Sequence, residues 1–132
     1  MQSAIIAILA AGLAGWVFGA IWYTSLSKPW QRAHGINPED CKDQKMPMMP
    51  LVIAFLGAIV MAATLYQILT NLGVMGVTHG AIAGLTIGIG FLFVATVVNN
   101  QFQQKNWVAT LIDGGHWSLV LMIEGAVITA LV

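Results

Sequence analysis

Residues 48–98 read MMPLVIAFLGAIVMAATLYQILTNLGVMGVTHGAIAGLTIGIGFLFVATVV, a stretch without one Asp, Glu, Lys or Arg. A helix needs about 20 consecutive apolar residues to cross the hydrocarbon of a bilayer. This run holds two such crossings, 48–69 and 77–98, separated by the polar break Asn71-Leu72-Gly73. The apolar residues do not alternate in short segments with turns, as membrane strands do. Helices also satisfy their own backbone, which a bilayer requires. Working outward, residues 3–26 form another uncharged run, and residues 107–132 a fourth, interrupted by Asp113, His116 and Glu124. The reading is an all-α, integral membrane four-helix bundle that forms a single transmembrane domain.

Composition agrees with this. Of 132 residues, 58% are hydrophobic and only 8% are charged, where a soluble domain carries about 25%. The net charge of zero leaves no basic field for nucleic acid. Membrane lipid is the expected surrounding. The first span lacks a basic leader and exceeds the ~7–15 apolar residues of a secretion signal, so it is read as retained.

Orientation follows from the basic residues. Lys28, Arg32, Lys42 and Lys45 lie in loop 27–47 and Lys105 in the third loop, while the second loop and both ends carry none. The positive-inside tendency makes the first and third loops cytoplasmic and both termini external. The expected location is the bacterial inner membrane. Cys41 is the lone cysteine, on the reducing side, with no intrachain disulfide possible. Pro29 suits the first turn of a short helix ended by Gly35, with Trp30 at the membrane surface. Asn37 suits the cap of a second, with Pro38 first and Asp40 in its first turn.

Gly76, Gly80, Gly84 and Gly88 recur every four residues along one face of the third span, and Ala11, Gly15 and Gly19 do so in the first. Such rows let membrane helices approach closely. They leave small-residue surface to bury, so a homo-oligomer is expected.

Ionisable groups within a span cost about 2.5–3.5 kcal/mol on insertion scales and face protein or water. Thr110, Asp113, His116 and Glu124 share one edge of the last helix, with roughly 16 Å between the two carboxylates. Gly114 and Gly115 within the ladder predict local bending. Depth matching places His79 at the outer level with Glu124. Trp22, Tyr23, Asn99 and Asn100 fall at the inner level with Asp113. Two readings remain open. The ladder is a pathway in a proton-coupled or channel-like transporter of ions or small solutes, since such chains are the material of proton relays. Alternatively, Asp113–His116 and His79–Glu124 are pairs that fix helix register in a non-transporting structural or accessory subunit. Nothing points to an enzyme, a cofactor or a metal. No nucleophile has an obvious base, and His116 with Asp113 supplies only two ligands from one turn.

The segment Gly19-Ala20-Ile21-Trp22-Tyr23-Thr24-Ser25, with Lys28-Pro29-Trp30 and Gly35, resembles the opening of a bacterial membrane family known as domain of unknown function 1761. Gly90 to Thr96 with Asn99-Asn100, and Leu111 to His116 with Gly125-Ala126, resemble it too, so the likeness covers nearly the whole chain. It implies four spans and no established activity. It departs from the family pattern where His116 precedes Trp117 and where Glu124 replaces an apolar residue. The resemblance therefore supports Trp22, Tyr23, Asn99, Asn100 and Asp113 more than Glu124, and its motifs converge on the inner level.

Overall fold

The computed structural model describes residues 1–132, all helix and turn. Helix α1 is Gln2–Ser25 and the short α2 is Ser27–Ala33. A 3-10 turn follows at Pro38–Cys41, then α3 at Met48–Asn71. Helix α4 is Val77–Phe102 and α5 is Trp107–Leu131. The four long helices have the length and apolar composition to cross a membrane, which makes this a multi-pass membrane protein. Their bounds lie within about one turn of the sequence-derived spans, the largest difference being the extension of α4 to Phe102.

Local chemistry explains the helix ends. Asn37 accepts a hydrogen bond from the Glu39 amide at 3.2 Å, as its expected capping role requires. Asn106 caps α5 by accepting from the Val108 amide at 2.7 Å. The break after α3 is closed by Gly73 at φ +68°, a left-handed conformation that only glycine adopts freely.

Helix α5 is the axis of the bundle. In its apolar window 44% of residues are buried, against 22% or less in the other spans. Helices α1 and α4 both pack on it antiparallel. The order of contacts shows this, Gly19 against His116 and Gly15 against Glu124, then Gly80 against Thr129 and Gly88 against Ser118. Helix α3 closes the other side of α1. A methyl group added at Gly12 would lie 2.5 Å from Ile59 Cδ1. The Trp16 indole donates to the Leu51 carbonyl at 3.1 Å and meets the Phe55 ring edge-on. Ala11, Ala62, Leu65, Leu69, Leu121 and Ile128 form the buried core between α1, α3 and α5.

The glycine row on α4 works as expected at three of its four positions. A Cβ at Gly80 would strike Thr129 and the Gly125 carbonyl, and one at Gly84 would strike the Leu121 carbonyl. At Gly88 it would lie 2.7 Å from Ser118 Cα. Gly76 does not belong to this interface. It is exposed at φ +89° and precedes α4, so it shapes the turn rather than the packing. Both rows are occupied within the chain, α4 and α1 each lying against α5.

Residues Gly88–Phe93 wind as a π-helix within α4. Such wide turns shift the register of the helix beyond them. Phe93 ends the wide turn beside Gly114, where a Cβ would lie 2.6 Å from Phe93 Cδ2. Gly115 likewise leaves room for the Trp22 ring, 3.4 Å from its would-be Cβ. Helix α5 runs unbroken through both glycines, which accommodate aromatic rings.

Candidate functional site

The seam between α1 and α5 holds both carboxylates of the membrane-spanning helices, Asp113 and Glu124, with His116 between them. At the end nearest α2, the Tyr23 hydroxyl donates to Asp113 Oδ1 at 2.7 Å. The Trp30 indole N–H donates to the same oxygen at 3.2 Å. The Trp22 indole donates to the Ile112 carbonyl at 3.0 Å. Three helices thus meet on one carboxylate. α1 supplies Tyr23, α2 supplies Trp30 and α5 supplies Asp113, while Trp22 ties α1 to the neighbouring α5 backbone. An open hollow of about 160 Å³ lined by Tyr23, Ser27, Trp30 and Gln31 lies on the donor side of this cluster.

One turn further along α5, His116 is 7% exposed and ringed by aromatics. Its ring centroid lies 4.8 Å from that of Tyr23 and 4.5 Å from that of Trp117. The Phe18 ring is nearly parallel to it at 6.4 Å. Opposite stands Gly19, where a methyl would come within 2.7 Å of His116 Nε2. Glu124 lies deeper, wholly buried at 0% exposure. It faces Gly15, where a methyl would lie 2.9 Å from Oε1 and 3.3 Å from Cγ. The two glycines of α1 therefore make room for the two side chains of α5. His116 Nδ1 and both Glu124 oxygens have no hydrogen-bond partner.

The expected register pairs do not form. Asp113 is held by Tyr23 and Trp30, and no hydrogen bond joins it to His116, whose Nδ1 is unpartnered. His79 is exposed on α4 and turns its Nδ1 back to the Met75 carbonyl at 3.1 Å, and it makes no hydrogen bond to Glu124, whose oxygens are unpartnered. Depth matching failed there because equal depth does not fix which way a helix face points, and α4 turns its glycine face to α5. The inner asparagines separate as well. Asn100 is buried and donates to Thr110 Oγ1 at 3.1 Å, tying α4 to the start of α5, while Asn99 is exposed. Thr110 thereby leaves the ladder for the α4 side.

Trp30 is the site residue that sequence reasoning placed elsewhere, at the membrane surface. The signal was present, since an acid inside a span needs donors and α2 follows α1 after one residue. Ser118 and Gly125, which receive α4, also emerge only from the packing. No three His, Cys, Asp or Glu side chains are grouped closely enough to hold a metal ion.

No curated protein and no solved structure matches this chain. A family model matches residues 6–129, from the first turns of α1 to the last of α5 and so across every residue of the seam. The chain therefore belongs to the family described as protein of unknown function DUF1761.

Proposed function

We propose that the protein transports ions or small solutes along the α1–α5 seam, with the Asp113 cluster as its cytoplasmic mouth. One observation carries this reading. Glu124 is wholly buried in a span with both carboxylate oxygens unpartnered, and α1 offers it a glycine. Burying a carboxyl without partners is costly, and a bundle needing only stability is served better by an apolar residue of similar volume. The membrane setting adds to that cost, and intramembrane acids by default mark ion or substrate paths. The test is flux into proteoliposomes carrying dyes for pH and for potassium. Wild-type protein should move at least one ion faster than empty vesicles, and Glu124→Gln should lose at least about tenfold of that rate. Equal flux from both proteins would remove the seam from the path.

A second reading, an accessory membrane subunit, is favoured by one observation. The bonds of Tyr23 and Trp30 to Asp113 clamp three helices together, as a purely structural joint would. If the protein assembles with itself, Gly57 on α3 and Gly90 on α4 are small positions left uncovered.

The same proposal places both termini outside the bacterial inner membrane, on the bias of the five basic residues toward the first and third loops. In a Cys41-free background, a cysteine at Gln103 should resist an impermeant thiol reagent on intact cells, and one at Asn71 should react. The opposite labelling pattern would invert the topology.

A further inference from the structure

Resting on the seam as the pathway, we infer that the ion it takes is the proton, with the Glu124 carboxylate as its internal acceptor and His116 as the group that passes it on. The donor set decides between a proton and a metal cation. Sodium or potassium needs several oxygens around it, and calcium, another hard cation, takes about 6–8. Glu124 brings two, Gly15 of α1 against which it lies brings no side chain, and Val120, beside the same glycine one turn earlier on α5, is apolar. Nearby backbone carbonyls belong to continuous helices, α1 and α5, and are used within them. A proton needs one lone pair. The two unpartnered oxygens supply that and nothing more.

The neighbourhood contains no competing charge. Helix α1 faces Glu124 with Gly15, and α3 contributes the apolar Ala62, Leu65 and Leu69 to the adjoining core. Helices α1 and α3 contain no Asp, Glu, Lys or Arg, and neither does α4. The titratable side chain of α4, His79, is exposed and bonded to its own helix. Tyr66 on α3 packs beside the core on its partly buried edge. On α5 the other titratable groups are His116 and, beyond it, Asp113 with Tyr23 of α1 at its side.

The seam also limits the distance a proton must cross. Cβ positions four residues apart on a helix are about 5–6 Å from each other. Glu124 Oε1 lies 2.9 Å from that of Gly15 and His116 Nε2 lies 2.7 Å from that of Gly19. The oxygen and nitrogen are therefore no more than about 12 Å apart, a gap that a short chain of water molecules bridges. In the transfer, imidazolium His116 gives its N–H proton to a water, and that chain delivers one proton to Glu124. The carboxylate becomes carboxylic acid and the imidazole becomes neutral. Return of a proton from the Asp113 side resets His116.

A lipid-soluble carbodiimide tests this directly, because it reacts with the protonated carboxyl within an apolar region. The purified wild-type protein in vesicles is treated across a pH series, with and without added sodium or potassium, and the peptide containing Glu124 is quantified by mass spectrometry. Glu124→Gln identifies the modified peptide. Labelling at Glu124 should fall about tenfold from mildly acidic to alkaline buffer and be unchanged by either cation. Protection by sodium or potassium at constant pH would make the ligand a metal ion and overturn the inference. So would labelling that ignores pH, or no labelling at all. Flux measured in the same vesicles separates this inference from the transport reading. Potassium flux without pH-dependent labelling leaves transport standing and removes the proton. Correct labelling with no flux of any ion removes transport and keeps the proton site.

Discussion

Replacing Gly84 with Leu should leave no stable bundle. The Cβ of any residue there would strike the Leu121 carbonyl of α5, and further backbone, Leu121 C and Met122 Cα, lies just behind. Backbone in the middle of a continuous helix cannot swing away as a flexible side chain does. Leucine adds three more carbons beyond that Cβ, so α4 and α5 must separate along the whole Gly80–Gly88 interface. Overpacking a core ordinarily costs about 1–3 kcal/mol, and a helix-to-helix backbone clash belongs at or beyond the top of that range. Gly84→Ala should already lower thermal stability in detergent, and Gly84→Leu should yield little monodisperse protein. Gly90→Leu, at a position with nothing within 4 Å, is the matched control and should melt as wild type does. A Gly84→Leu protein that purifies and melts normally would mean that α4 does not pack on α5 through this face.

The spans were legible in the sequence because the bilayer imposes a simple rule, a run of apolar residues long enough to cross. The glycine rows were legible for a related reason, since small residues every four positions have few other uses in a membrane helix. Gly76 shows where that reasoning stops. It continues the spacing, yet it lies before the helix begins, and spacing alone does not locate the first turn of α4. The site was half legible. Tyr23, Trp22 and Asp113 were placed at one level and do meet. His79 and Glu124 were also placed at one level and do not meet, because depth is a one-dimensional quantity and contact also needs the rotation of each helix. Trp30 depended on how the seven-residue α2 folds back against α5, which no periodicity in so short a segment specifies. The orphaned state of Glu124 was invisible for the same reason. It depends on what three other helices fail to offer.

Asp113→Asn should stop transport while leaving the bundle folded. The amide oxygen of asparagine can still accept from the Tyr23 hydroxyl and the Trp30 indole, whose bonds to Asp113 Oδ1 are 2.7 and 3.2 Å. What disappears is the negative charge and the ability to take and release a proton. Hydrogen bonds to a charged group are worth about 1.5–3 kcal/mol and neutral ones about 0.5–1.5, so the expected loss of stability is about 1–3 kcal/mol, partly offset because the cluster is only partly buried. Asp113→Ala behaves differently. It leaves the hydroxyl and the indole without a partner, each costing about 1–3 kcal/mol, and should destabilise the junction of α1, α2 and α5 more than the amide does. Asparagine is therefore the informative substitution, and alanine shows how much of any effect is merely structural.

If the Asp113–His116–Glu124 seam is a path and not only a joint, one paired measurement should reveal it. Wild-type protein and Asp113→Asn are reconstituted at equal density, and dissipation of an imposed pH gradient is followed beside the melting temperature of each. Wild type should dissipate the gradient, and Asp113→Asn should fall to the rate of empty vesicles, with its melting point lowered by no more than roughly ten degrees. An Asp113→Asn protein with undiminished flux and a much lower melting temperature would contradict the path and leave the seam as a structural joint.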